Sequence, residues 1–444
     1  MPKKIITLEE IRTLSHKTLS GMLYTMSQKD QEIHAKLEKL LLSANPKELV
    51  KAIKKDIVSI KRGRKFIEYH MSFEFSQKIQ SIIDDISSMV EDKKIASKLY
   101  KELILTDSKV YLRTDDSSGV IQGSYATAMD GWLNCIAFLN DDELYTDIKE
   151  MLFCEGFGLR NILNETIPKG VLIRLYDEFF PIPVDTNMDA FDKLSLLRET
   201  AHYLKDVERY IEAKKLQKES LSQIDFLDIA KEYQYANSPK KVLSTLDSVQ
   251  EVDSYSADEF YGLKVWAYEA LQQPFDVTLM YKYWYEKTQS VHILKKYLSR
   301  LDGTMQEKVK KEALKSVEDF PVSVALDFFY NLDEKSLVAK SILEHQDREI
   351  KIMYGEPLKK ITQWLEDEYP QETILLHRDN CENSLERAIS KYYPYAIKAL
   401  KECLRIEEEK NISLWHIESN DDYMAQLLEK HKKKSKFIQL FNAI

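Results

Sequence analysis

Apolar residues recur through most of the chain at spacings of three and four, the period of a helix with one buried face. The stretch after Asn45-Pro46 is typical of this pattern. Its apolar residues lie on one face: Leu49, Val50, Ile53, Ile57 and Ile60. Proline fits the first helical position, where the N–H that it lacks would have no partner. The pattern therefore predicts helices over most of the chain.

Proline-started helical runs recur through the second half of the chain. Five prolines each precede such a run: Pro239, Pro274, Pro321, Pro357 and Pro394. Their steps of 35, 47, 36 and 37 residues match the roughly 34–47 residues of known helix-pair repeats. We therefore predict an all-α fold, an α-solenoid of stacked helical hairpins resembling TPR or HEAT arrays with degenerate repeats. A non-repeating helical domain is the alternative.

Two prolines two residues apart, Pro181 and Pro183, mark the best domain boundary because neither can continue a helix. We predict an N-terminal helical domain over residues 1–180, a linker over 181–187 and a hairpin-repeat domain over 188–444.

Several individual helix bounds are also predicted. A capping box at Thr7–Glu10 predicts a first helix that reaches about Tyr24. A long charged helix is expected from Met188 to about Lys218, and a second capping box, Thr304–Glu307, is expected to open a later helix.

Composition supports the helical interpretation and narrows the function. The 444 residues include only 11 Gly and 11 Pro, and 44% are hydrophobic. The net charge of −9, with both signs mixed, argues against general nucleic-acid binding. Four scattered cysteines without a C-x-x-C motif favour buried thiols in a reducing compartment. With neither a leader segment nor an apolar run of about 18–20 residues, we expect a cytoplasmic protein without a membrane partner.

Standard catalytic and cofactor signatures are missing from the sequence. Gly156-Phe157-Gly158 resembles half of a dinucleotide fingerprint, but Asn161 stands at the third glycine position and no strand precedes the segment. A helix–helix turn is the favoured interpretation there. The histidines show no metal-ligand spacing, so we predict neither a cofactor nor a metal.

The acidic loop of Asp115 and Asp116 allows two interpretations. Adjacent carboxylates could hold a divalent cation and assist hydrolysis, although the alternate acids of a Ca²⁺ loop are absent. An Asx-type turn that caps the next helix is the structural alternative.

The segment 54–65 carries the strongest local positive charge, and aromatic residues follow it. Arg62, Arg64 and Tyr69 could contact phosphates and stack on a base. The alternative is a solvated helix end, with Gly63 in the left-handed position that ends many helices. If the chain brings this segment to Asp115 and Asp116, an ion-pair network is expected.

A third candidate is the aromatic run 281–285, in which Tyr283 and Trp284 could line a concave binding surface. The alternative is that these rings form the core between two helices.

The chain resembles an uncharacterised bacterial family of helical proteins, known only as a domain of unknown function. The resemblance rests on Arg64–Tyr69, on Asp115–Gly119, on Gly156–Gly158 and on the basic terminus Tyr423–Phe437. Some relatives carry a separate zinc-binding SWIM module, which this sequence lacks. The family implies no activity, but it raises the expected importance of Arg64, Tyr69, Asp115 and Asp116.

Three functional hypotheses follow. The first is a non-enzymatic scaffold that binds another protein or a peptide on a helical-repeat surface. The second is a nucleic-acid-associated protein that uses segment 54–65, and the third is a metal-assisted hydrolase at Asp115 and Asp116. The sequence favours a binding protein over an enzyme, and a protein or peptide partner over nucleic acid.

Overall fold

The computed structural model describes residues 7–152, 162–181, 190–216, 220–317, 320–344, 356–412, 414 and 416–443. The regular elements within these residues are all helices, and the one β-type contact is an isolated parallel bridge between Ile67 and Thr114. The all-α prediction is confirmed. Gly156–Gly158 lies outside the described residues.

The chain divides into two compact units, residues 1–238 and 239–444. The first unit contains α1 (Leu8–Arg12), α2 (His16–Ser27), α3 (Gln31–Leu42), α4 (Pro46–Arg62), α5 (Ser72–Met89), α6 (Lys93–Ile104), α7 (Asp107–Tyr111), α8 (Val120–Leu133), α9 (Asp141–Met151), α10 (Lys169–Phe179), α11 (Ala190–Leu204), α12 (Val207–Lys215) and α13 (Gln223–Tyr235). Two short 3-10 helices, Tyr69–Met71 and Ile136–Phe138, lie between them.

The regular elements described in the second unit are also helices. This unit contains α14 (Pro239–Leu246), α15 (Ala257–Ala270), α16 (Pro274–Thr288), α17 (Val291–Leu298), α18 (Gly303–Ser316), α19 (Val322–Asn331), α20 (Lys335–Glu344), α21 (Glu356–Leu365), α22 (Pro370–Glu386), α23 (Tyr393–Lys410), α24 (Asn420–His431) and α25 (Ser435–Phe441). A 3-10 turn, Ser390–Tyr392, precedes α23.

Prolines occupy helix starts as predicted. An N–H in the first turn has no acceptor within the helix, so the N–H that proline lacks is not needed there. Pro239 and Pro274 begin α14 and α16, Pro321 stands immediately before α19, and Pro357 and Pro394 are second residues of α21 and α23.

Polar caps define other helix starts. The capping box of Thr7 with Glu10 is present, but α1 ends at Arg12, and Ser15 caps a separate α2 through the N–H of Thr18. The single helix predicted as far as Tyr24 is therefore wrong. The predicted box at Thr304–Glu307 is also wrong, because the Asp302 carboxylate accepts the Met305 N–H (2.9 Å) and α18 already begins at Gly303.

The long helix predicted from Met188 to Lys218 is broken, because Lys205 adopts a left-handed backbone conformation (φ 57°) and ends α11. The next residue, Asp206, donates its N–H to the carbonyl of Ala201 (3.0 Å), which forms the hydrogen bond of a Schellman turn. Four other helices end in the same way, with left-handed residues at Asn237, Gln272, Asp333 and Asn411. None of the five is a glycine, so the usual marker of such turns is missing from the sequence.

Three of these turns join helices into hairpins whose partners pack together, α11 with α12, α15 with α16 and α19 with α20. The stacking of hairpins into a solenoid stays a prediction. So does the domain boundary at 181–187, since residues 182–187 are among those not described.

The first unit encloses a core in which Tyr125 and Trp132 of α8 are completely buried. Gly131 of α8 is required here, because a Cβ would lie 2.5 Å from the ring of Tyr100. In the second unit one core cluster joins helices of α15–α22, and a smaller one holds Phe437 of α25 against α22–α24. Within the described part of the chain, no helix is long and apolar enough to cross a membrane.

Candidate functional site

The solvent face of α4 carries the densest positive charge of this region. Residues 46–65 contain eight Lys or Arg and two Asp or Glu. Leu49, Ile53, Ile57 and Ile60 face the core, so the cations of α4 occupy the opposite face. Seventeen helical residues extend this charged face over roughly 25 Å.

Six cations of this stretch are exposed and have no hydrogen-bond or carboxylate partner among the described residues. They are Lys47, Lys55, Lys61, Arg62, Arg64 and Lys65, and we call them the basic surface. Two other lysines of α4 are paired, Lys51 with Glu48 (3.8 Å) and Lys54 with Glu102 (2.5 Å). The basic surface is therefore charge that the fold itself leaves uncompensated.

The extended segment that follows α4 is held by main-chain hydrogen bonds. Ile67 donates its N–H to the carbonyl of Arg113 (2.8 Å) and accepts the N–H of Asp115 on its own carbonyl (2.9 Å). The Ser72 hydroxyl donates to the carbonyl of Asp115 (2.7 Å). Because Ile67 is buried in the core, these contacts fix the positions of Arg64 and Lys65.

Arg113 connects the end of α4 to this segment. Its guanidinium donates to the carbonyl of Lys65 (3.0 Å) and to that of Ile60 (3.1 Å), one of the last carbonyls of α4. Its Cζ lies 5.2 Å from the ring centroid of Phe75, and burial lowers the pKa of Arg113. The cation therefore stabilises the negative end of the helix dipole.

Gly63 serves a different purpose from the one predicted. Its φ of −56° is not left-handed. A Cβ at this position would instead lie 2.7 Å from the Arg113 guanidinium. The missing side chain therefore makes room for Arg113.

Three aromatic rings are exposed near the basic surface. Phe66 is 53% exposed, Tyr69 59% and Phe73 64%. Phe66 lies between Lys65 and the bridged Ile67, Tyr69 begins the short 3-10 helix, and Phe73 is in the first turn of α5. All three are therefore carried by ordered backbone.

Asp115 and Asp116 act within their own loop. The Ser117 hydroxyl and N–H donate to Asp115 Oδ1 (2.5 and 3.2 Å), and these bonds lower the pKa of Asp115. The carboxylate of Asp116 accepts the N–H groups of Ile121 (3.1 Å) and Gln122 (2.8 Å) at the start of α8. This arrangement is the capping turn considered as the structural alternative.

The predicted ion-pair network between the basic segment and this loop is not formed. Neither Asp115 nor Asp116 lies within 4.0 Å of a basic nitrogen of Arg62 or Arg64. The two segments do meet, but through the main-chain bridge and Arg113. In the residues that the structure describes, no three potential metal ligands come together.

A cleft lies between α4 and α5, with Lys39 of α3 at one side. It encloses about 370 Å³ and is lined by Lys39, Asp56, Ser59, Ile60, Glu74, Gln77, Lys78, Ser81 and Ile82. Lys39 contacts both Asp56 (2.5 Å) and the buried Asp85 (2.6 Å). Burial alone would lower the pKa of Lys39, but the hydrogen bonds to these carboxylates raise it.

The aromatic run 281–285 belongs largely to the interface between α15 and α16. Trp284 donates its indole N–H to Asp258 (2.6 Å) and lies parallel to Tyr281 at 6.0 Å between centroids. Tyr281 and Tyr285 are buried, and Tyr283 is 41% exposed. Of the aromatic residues in this run, only Tyr283 is therefore exposed enough to contact a partner readily.

Three cysteines are buried and free: Cys135, Cys381 and Cys403. Burial raises the pKa of all three, that of Cys403 to about 12, so the thiols are unreactive near neutrality. Cys154 lies outside the described residues.

Sequence reasoning missed Arg113, Phe73 and the cleft residues. Arg113 precedes the acidic loop by two positions, but both of its acceptors are main-chain carbonyls, which leave no signal in the sequence. The helical period of α5 could have identified Phe73. This residue lies four positions before Gln77, which lines the cleft, and the two share one helix face.

These features define an all-α protein in which α4 and the segment after it carry an exposed basic surface, unpaired within the described residues. The chain belongs to a family of unknown function, DUF6880, whose model matches residues 3–167 and 187–440. The family resemblance is thereby confirmed. No curated protein matches the chain significantly.

Proposed function

We propose that this chain is a non-enzymatic binding protein that holds an anionic partner on the basic surface. The observation that carries the proposal is the set of six exposed cations without a partner among the described residues. Some other surface cations are paired. Arg405, for example, contacts Glu366, Glu402 and Glu409 at 2.7–2.9 Å.

Uncompensated charge on one helix face has a physical consequence. Lys51 of α4 lies four residues from both Lys47 and Lys55, and like charges at this spacing weaken a helix by about 0.2–0.5 kcal/mol per pair. An anionic partner relieves this repulsion and, if it is a polyelectrolyte, releases its counterions. The basic surface also accelerates encounter with an anion, although the protein as a whole carries a net charge of −9.

The protein is still a scaffold in this account, but the basic surface is where it binds its partner. The stacked hairpins supply the frame, arranged as an α-solenoid, and α4 with residues 64–69 replaces the aromatic run 281–285 as the contact region. The buried thiols of the chain fit a reducing compartment, and we place the protein in the cytoplasm. The hydrolase hypothesis gains no support, because donors in the loop already occupy Asp115 and Asp116.

The test is binding of a heparin fragment, a sulfated polyanion, measured by calorimetry over a range of salt concentrations. We expect affinity that falls steeply with salt, and a loss of about tenfold or more in the double variant Arg62→Glu with Arg64→Glu. The matched control is Lys295→Glu with Lys296→Glu, which makes the same charge change at two exposed positions of α17.

Equal loss in both double variants would show that only total charge matters, and it would contradict the proposal. So would salt-independent binding, or no binding, by the wild-type protein. Circular dichroism of each variant verifies that the fold is intact.

A further inference from the structure

The cleft between α4 and α5 borders the basic surface. Ser59, which lines the cleft, lies four residues after Lys55 and three before Arg62. Residues at these spacings share one helix face. A ligand whose charged part lies on Lys55 and Arg62 can therefore reach the cleft with another part.

The cleft itself suits a neutral group. Its two cations are already paired, Lys39 with Asp56 (2.5 Å) and Lys78 with Glu74 (3.1 Å). The buried Asp85 beside Lys39 adds a further negative charge. A phosphate is therefore disfavoured inside, whereas Ser59, Gln77 and Ser81 offer hydroxyl and amide groups to a polar ring.

The cleft is large enough for such a ring, and an exposed aromatic residue, Phe73, lies one helical turn from its lining. Its volume of about 370 Å³ lies within the ~300–1,000 Å³ typical of ligand sites. On α5, Phe73, Gln77 and Ser81 follow one another at intervals of four and share a face. Phe73, 64% exposed, thus lies one turn from the cleft lining and offers a surface for stacking.

We infer that the partner is a single-stranded nucleic acid, a proposal that rests on the proposed function of the basic surface. The phosphates of the strand lie along Lys55, Lys61, Arg62 and Arg64. One unstacked base lies against Phe73 and reaches the cleft, and its neighbours stack on Phe66 and Tyr69. A duplex is disfavoured, because its bases are not free to stack on these rings.

An acidic peptide is the competing partner, and it makes a different prediction. It would use the cations but would gain nothing from a polar ring that stacks on Phe73. A comparison at constant charge therefore separates the two.

The first experiment compares two oligonucleotides of about 12 residues, within the ~4–16 common for single-strand sites. One has mixed bases and the other is abasic, with the same phosphate backbone. We expect the abasic strand to bind about tenfold or more weakly. Neutralising two contacts by Arg62→Gln with Arg64→Gln should lower the slope of log affinity against log salt by about 1.4.

The second experiment uses Phe73→Ala, with Phe275→Ala as control because Phe275 is likewise exposed (78%) in the first turn of a helix. Phe73→Ala should weaken binding of the mixed-base strand by about fivefold or more and leave heparin affinity unchanged, whereas Phe275→Ala should change neither.

Equal affinity for the mixed-base and abasic strands would overturn this inference while leaving the proposed function intact. The inference also fails if Phe73→Ala behaves like its control, or if polyglutamate of matched charge binds as tightly as the strand. If neither heparin nor either strand binds, both proposals fail.

Discussion

Arg113 should hold residues 62–65, the C-terminal end of the basic surface, in place, and Arg113→Met isolates its contribution. Methionine keeps an unbranched side chain beside Phe75 but removes the charge and every N–H donor. The carbonyls of Ile60 and Lys65 then lose donors at 3.1 and 3.0 Å.

The expected effect is moderate. A hydrogen bond from a charged group contributes about 1.5–3 kcal/mol, but the bond to Lys65 is exposed, so water can replace it after substitution. We therefore expect the free energy of unfolding to fall by about 2 kcal/mol in total. In a unit of this size, 1 kcal/mol corresponds to about 2–4 °C, so Tm should fall by about 4–8 °C.

Thermal unfolding and limited trypsin digestion measure this effect together. We expect the variant to be cleaved faster within Arg62–Lys65, where trypsin has several possible sites, because the segment loses its anchor. The control is Lys109→Met, which removes the same charge from an exposed residue of α7. A wild-type Tm and cleavage rate in Arg113→Met would show that Arg113 does not anchor the segment.

Three further predictions concern other parts of the fold. Gly131→Ala should destabilise the first unit by about 1–3 kcal/mol, because the new methyl meets the buried Tyr100 ring, and thermal unfolding measures this. Glu366→Gln should lower stability by about 1–2 kcal/mol at neutral pH. Hydrogen bonds from Arg405 lower the pKa of Glu366, so the pair stabilises the protein above the ordinary Glu value of 4.5. The difference between wild type and variant in urea unfolding should therefore vanish as the pH falls through the lowered pKa. Trp284→Phe should reduce Tm, because the Asp258 carboxylate loses its donor, while heparin affinity measured by calorimetry should stay at the wild-type value.

Helical periodicity predicted the fold class well because most of the described helices bury one face, although α1 and α2 have no buried residue. The apolar positions of α4, from Leu49 to Ile60, are the buried ones. Helix ends were predicted less well, because the breaks after Arg12 and at Lys205 depend on local caps and turns. A lysine can adopt the left-handed conformation once the flanking helices pack, but its side chain gives no indication of this in the sequence.

The candidate site was predictable in its charges and not in its geometry. Arg62, Arg64 and Tyr69 stand out from the sequence because cations and aromatics cluster there. The contact between this segment and the acidic loop was expected as ion pairs, whereas the structure makes it through main-chain bonds of Ile67. Main-chain contacts between distant segments depend on tertiary packing, and a short sequence motif does not predict them.

Whether the basic surface holds the anionic partner can be measured by lysine acetylation footprinting with mass spectrometry, with and without a saturating heparin fragment. We predict protection of Lys55, Lys61 and Lys65, with Lys295 and Lys296 modified at the same rate in both samples. Protection confined to other lysines, or spread evenly over the surface, would mean that the partner binds elsewhere or without a defined site.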